Sequence, residues 1–204
     1  MNTQATLADR QLHISLGGDG FLSIPLDTGG KYRLRLQNSG EADAVVLAIE
    51  SIANIAVLTA DGGVLNGFTV FENLQLAMHY GLPLSEREDR QWQSDAHLAM
   101  RLCGLDEDAL RSFGNAICAD LSDTHRWMVG LVRNILCPPD ILVLDRTFAG
   151  LSRQHVDSRI AMQSVFHTFH PFRPALFVDV DSYELPLIPN CKAEFELGAA
   201  PCPC

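Results

Sequence analysis

Residues 141–152 read ILVLDRTFAGLS: four consecutive apolar residues, an aspartate, an arginine, and then a turn of small residues closed by a leucine and a serine. A continuous apolar run of this length, flanked by polar and turn residues, predicts a strand buried on both faces, the kind found in parallel sheets. Outward from it the same logic recurs. SDTHRWMVGLVRNILC (122–137) carries apolar residues at helical spacing, with Pro138 and Pro139 as a stop. A helix is expected over about 152–169, and ALFVDV (175–180) reads as a second buried strand. AEFEL (193–197) predicts a last strand, and the tail 199–204 a loose end. Upstream, LHISL, FLSIPL and KYRLRL alternate between glycine pairs and predict three short strands within 12–36. Residues 41–53 predict a helix, NIAVL (54–58) a strand, 71–80 a helix ended by Gly81, and Asp106 to Phe113 another short helix. Ser85 with Glu88 has the spacing of a capping box for a helix running to about Cys103. Strands alternating with helices late in the chain, after strands gathered early, predict an α/β fold with a mixed central sheet and an N-terminal antiparallel layer. A helical subdomain is expected over about 71–135 within one domain spanning 1–204.

Composition excludes several classes. The 204 residues carry 15 Lys plus Arg against 25 Asp plus Glu, a net charge of −10. A chain this acidic has no general attraction for nucleic acid or anionic lipid. Lys31 and Lys192 are its two lysines, so any chemistry that needs a lysine must use one of them. Apolar runs fall short of the roughly 18 residues of a membrane helix, and the N-terminal MNTQATLADRQ lacks the pattern of a secretory signal. Cys103, Cys118 and Cys137 sit in apolar or helical context, so a reduced, cytoplasmic chain is expected.

The order of these pieces resembles the ATPase domains of ATP-binding-cassette (ABC) transporters. ILVLDRTFAGLS is similar to that family's Walker B strand and the turn after it. LSDTHRWMVGLVRNILCPPD (121–140) resembles the signature motif with its helix, GGVLNGFTVFENLQLAMHYGL (62–82) the segment after the Q-loop, and LFVDVDSYEL (176–185) the switch strand. The likeness covers about 12–198. Within the family, TVFENLQLAMHYGLPLSE (69–86) is most similar to ATPases that serve MCE-protein lipid transport.

The resemblance implies a nucleotide site, and its positions can be checked one by one. A phosphate-binding loop needs glycines, a lysine for the β- and γ-phosphates, and a hydroxyl for Mg²⁺. QNSGEADAV (37–45) falls there: Asn38, Ser39 and Gly40 fit, the lysine position holds Asp43, and the hydroxyl position holds Ala44. The Q-loop position is Thr59. The signature reads Leu121, Ser122, Asp123, Thr124, His125, without its two glycines. The catalytic glutamate position is Arg146, which cannot serve as a base. The switch histidine aligns with Val180, or with Asp179 under a shift of one. Asp145, the Walker B carboxylate, is retained.

These replacements imply a non-hydrolysing docking or regulatory subunit with no catalytic residue, no metal and no cofactor. It would work with an ABC permease membrane subunit, an active ATPase subunit, or both; a homodimer is also open to it. Its place would be cytoplasmic, held at the inner membrane face by the permease. Docking contacts are expected at Phe68, Val70, Phe71 and Leu74. Two alternatives stand beside this reading: a deviant but active subunit using ATP and Mg²⁺, and a free-standing scaffold. His167 with His170, and Cys191 with Cys202 and Cys204, have metal-like spacings, for which a plain helix end and a loose tail are the simpler accounts. Asp145, Arg146 and Asp179 are expected to gather as a charge cluster at the strand ends, an internal ion pair standing in for Mg²⁺.

Overall fold

The computed structural model describes residues 3–17, 20–81, 86–181 and 186–196. They fall into two compact units, one built from 1–57, 139–150 and 171–204, the other from 58–138 and 151–170. The capping box at Ser85 and the tail 199–204 lie outside the described residues.

In the first unit, β1 (Thr3–Ala8), β2 (Gln11–Leu16) and β3 (Gly20–Pro25) form an antiparallel three-stranded sheet. β1 is an addition to the sequence reading: its weakly apolar TQATLA shows only a shallow alternation of half-buried and exposed residues. Ala8 pairs with Gln11 across a two-residue turn whose Asp9 and Arg10 have φ of 49° and 61°. Such mirror-image turns match the twist of paired strands. Leu12, Ile14, Leu22 and Ile24 bury one face, while His13 stacks on the exposed ring of Phe21.

β4 (Lys31–Leu36) leaves this sheet and becomes the second-to-last strand of another, ordered β5-β6-β7-β4-β8, with β5 (Ile55–Leu58), β6 (Ile141–Asp145), β7 (Ala175–Val180) and β8 (Cys191–Glu196). β4 runs parallel to both β7 and β8, and β6 parallel to β7. Burial on both faces explains the unbroken apolar runs of β6 and β7. The sequence grouped β4 with the early alternating strands. Its Arg33 is buried against Asp179 of β7 and Glu194 of β8, so its alternation reports ion pairs inside the sheet and not a wet face. α1 (Ser39–Glu50) returns from β4 and buries Ala42, Val45, Val46 and Ile49.

The second unit holds α2 (Val70–Gly81), α3 (Glu86–Leu102), α4 (Glu107–Asn115), α5 (Asp123–Leu136) and α6 (Arg153–Phe169). α5 is central: Trp127, Met128, Leu131, Val132 and Ile135 are buried, and it packs on α2, α3 and α6. Asp106 caps α4 by accepting from the Ala109 amide at 2.7 Å, and Ser122 caps α5 by accepting from His125. No helix among the described residues is long and apolar enough to cross a membrane.

Candidate functional site

The positions singled out by the sequence are divided between the two units, and each set has its own geometry. In the first unit, the end of β4 leads into α1 through Asn38, whose extended backbone (φ −153°) makes it the N-cap. Its Oδ1 accepts from the Glu41 amide at 3.0 Å, and Glu41 Oε2 accepts from the Gln37 amide at 3.1 Å. This is a variant of the capping box, in which the Glu reaches the amide one residue before the Asn N-cap. It matters because a helix N-terminus is a ready anion site, with unpaired amides and a positive dipole end. Here the chain's own Glu41 supplies the negative charge and takes the Gln37 amide, while the Glu41 amide is spent on Asn38.

Arg146, just past β6, occupies the centre of the same region in a left-handed backbone conformation, φ 43°. Its Nε and Nη2 reach the two oxygens of Asp145 at 2.8 and 3.0 Å, and Nη2 also lies 2.7 Å from Asp43 Oδ1. The Asp145 bonds, followed by Asp43, push the guanidinium pKa up, so it is a permanent cation. Asp145 is nearly buried and Asp43 mostly exposed. An arginine just past β6 thus joins the carboxylate at the end of β6 to one on α1.

The expected cluster of Asp145, Arg146 and Asp179 is corrected in one member. Asp43 completes the group, and Asp179 pairs elsewhere, with Arg33 Nε at 3.1 Å. Burial raises the Asp179 carboxyl to about 6, against the pull of Arg33. Val180 is a buried end residue of β7, with its Cα partner at Leu36. Cys191 is disulfide-bonded, so the expectation of a reduced chain does not hold at that position.

In the second unit, Thr59 opens a tight turn. Its hydroxyl donates to Asp61 Oδ1 at 2.5 Å, the Gly63 amide donates to the same oxygen, and the Gly62 amide donates to the Thr59 carbonyl. The Thr59 bond, then Gly63, lowers the Asp61 pKa. Gly62, at φ 84°, is pressed on α5: a Cβ there would sit 2.3 Å from the Arg126 carbonyl oxygen. Gly130 answers it from α5, with the Gly62 carbonyl 2.2 Å from where its own Cβ would be. Arg133 clamps the Gly63 carbonyl at 2.8 Å, and the buried Arg159, drawn over the Trp127 ring, donates to the Ala60 carbonyl. Burial lowers the Arg159 pKa to about 10. The sequence reading missed this fixing of the loop; the Gly62–Gly63 pair with Gly130 in the following long helix is the signal that could have found it.

The signature positions cap α5. Ser122 is its N-cap, Asp123 forms an ion pair with Arg126, and the His125 ring packs edge-on against Phe113. Of the expected docking contacts, Phe68 is exposed and Phe71 is partly covered, its ring against Trp92 and His97. Val70 and Leu74 are corrections: both are fully buried on the inner side of α2. The exposed apolar neighbours are Leu65 and Ile117. His170 contacts the Ile135 carbonyl at 2.7 Å, and His167 pairs with Gln163.

The comparisons with known proteins agree on one architecture. No family model matches the chain. In sequence it is 30% identical over 119 residues to the taurine import ATP-binding protein TauB of Rhizobium johnstonii, which covers 54% of this chain and 42% of that protein. The chain therefore spans less than half the length of the curated relative it matches. In structure it matches CbiO1 of Clostridium perfringens, part of the ABC transporter complex CbiONQ, with a TM-score of 0.67 at 13% identity, covering 97% of this chain and 85% of that one. A dimeric ATP-binding cassette, MJ0796, bound to ADP and Pi, gives a TM-score of 0.62 at 13% identity, over 96% and 91% of the two chains. The fold is that of the ABC ATPase domain, as the resemblance implied.

These findings overturn one expectation, that of a chain with no cofactor. The sequence relative is an ATP-binding protein and the solved neighbour holds ADP and Pi, so nucleotide is the ligand that accompanies this architecture. At the start of α1 the residues present are acidic: Glu41 accepts from the Gln37 amide and Asp43 pairs with Arg146, so this turn offers a phosphate no lysine.

Proposed function

We propose that this chain is an ABC-ATPase-type subunit that does not turn ATP over and acts by docking on a transport assembly. The observation that supports this is Arg146. It stands where the family has its general base, cannot accept a proton, and is held by Asp145 and Asp43. ATP enters the proposal as a ligand class taken from the relatives, not as a reactant. The whole chain is carried as one ATPase-like domain, located at the inner membrane face through its partner. That partner is a permease-type membrane subunit meeting the exposed Leu65, Phe68 and Ile117, a second ATPase subunit, or both. Two observations feed the competing reading of an active subunit: the stretch of 30% identity to an import ATPase, and retention of Asp145.

The test is phosphate release from Mg-ATP by the purified chain, alone and with a co-expressed permease. The expected result is background turnover for the native chain, and the same for Asp43→Lys and for Arg146→Glu, because each restores one missing group and leaves the others absent. Turnover in the native chain would reject the proposal. Turnover in Asp43→Lys alone would show that the base lies somewhere other than position 146. Phe68→Asp is expected to reduce co-purification with the permease while leaving the melting temperature in place.

A further inference from the structure

At the end of the first unit's sheet where β4, β6 and β7 begin, away from Arg146, there is a cavity of about 400 Å³. That lies within the range of small-molecule pockets, roughly 300–1,000 Å³. Its walls are tied by backbone bonds: the Leu26 amide donates to the Arg10 carbonyl, Gly29 to Phe172, Leu142 to Pro174, and Ala175 to Gly30. Leu26, Ile141 and Phe172 give it an apolar lining, while Arg10, Arg173 and Asp140 give it charge. The two cations are not equivalent. Arg173 is already paired with Asp140. Among the described residues Arg10 has no carboxylate partner, and its bond is to the neutral Thr28 hydroxyl at 2.7 Å. Arg10 also occupies a left-handed position, φ 61°, where glycine or asparagine is the low-cost choice and other residues lose about 1–2 kcal/mol. A strained turn residue that brings a cation to the mouth of an apolar cavity is a reason to look for a ligand.

We propose that this cavity binds a small single-chain amphiphile with a carboxylate head, the carboxylate on the Arg10 guanidinium and the alkyl body against Leu26, Ile141 and Phe172. Charge complementarity selects this occupant: in a chain of net charge −10, the cavity carries two cations and one anion.

The test is calorimetric titration of the full chain with octanoate, with acetate and octylamine as controls for head without tail and tail with the opposite charge. Arg10→Gly suits the left-handed turn and removes the guanidinium together with its methylene stem. Phe172→Ser alters an exposed side chain and is the second variant. Saturable octanoate binding, at least tenfold weaker with acetate and with octylamine and at least tenfold weaker in Arg10→Gly, is the expected result; Phe172→Ser should also weaken it. No saturable binding of octanoate, equal binding of acetate or octylamine, or an Arg10→Gly affinity matching the native chain would each overturn the proposal.

Discussion

Arg146 is the residue on which most of the first unit's candidate site turns, and its energetics can be tested apart from catalysis. Asp145 is nearly buried and receives both of its side-chain bonds from one guanidinium. Removing the donor leaves a desolvated carboxylate, which costs about 1–3 kcal/mol. Arg146→Ala should therefore lower the melting temperature, and adding Asp145→Asn should return part of the loss; a double-mutant cycle with no coupling would mean that solvent already satisfies Asp145. Arg146→Lys should recover little, since a lysine cannot form the two-pronged bond. Asp179 gives a pH dependence of known sign. With its carboxyl raised from an ordinary 3.8 to about 6, the folded chain binds a proton that the unfolded chain does not between those values. This residue therefore subtracts stability as pH rises through that window, fully so above about 6. Denaturant midpoints across the window should fall with pH in the native chain and less steeply in Asp179→Asn. At this scale the sequence was informative about identities and silent about partners. Asp43 and Arg146 could be picked out as charged residues at expected element ends, whereas the Asp43–Arg146 contact joins residues about a hundred positions apart that no local pattern connects. Asp179 feels Asp145 but takes its ion pair from Arg33 on the neighbouring strand, which no local pattern in the sequence announces.

The elements carry a different lesson. Helix periodicity placed α2 and α5 correctly, because apolar residues recurring every three to four positions cannot be buried by a strand. It did not separate Phe68, exposed just before α2, from Val70 and Leu74, buried within it. All three are apolar, and which of them the rest of the unit covers is a tertiary fact. The division has measurable consequences: Leu74→Ala should cost about 2–5 kcal/mol as a core truncation, and Phe68→Ala within about 0.5 kcal/mol as a surface change. The turn after β5 offers a second test. A Cβ at Gly62 or Gly130 would meet backbone oxygen at 2.3 or 2.2 Å, and backbone cannot swing aside as a side chain can. Either Gly→Ala change should destabilise by about 1–3 kcal/mol, seen as a lower melting temperature; a neutral Gly130→Ala would mean that the loop lifts from α5 without penalty. Thr59, Asp61 and Arg133 tie this loop down.

At the scale of the whole molecule, the interleaving of segments governs how the chain can come into being. Lys31 of β4 pairs with Ala175 on one side and Cys191 on the other, so both neighbours of that strand are encoded far downstream. Closing loops of this length before any pairing rewards them makes such sheets slow to form. A nascent chain that has just emerged through α1 would present β4 with both edges open, a template for unwanted pairing until translation has delivered β7 and β8. Halting synthesis after His170 should leave residues 31–50 open to protease even when the 70–136 helices are already protected, and release of the remaining residues should close them. The strand that leads into α1 is in this sense the last to be secured, and its dependence on the final stretch of the message makes the early chain a client for any chaperone waiting at the ribosome.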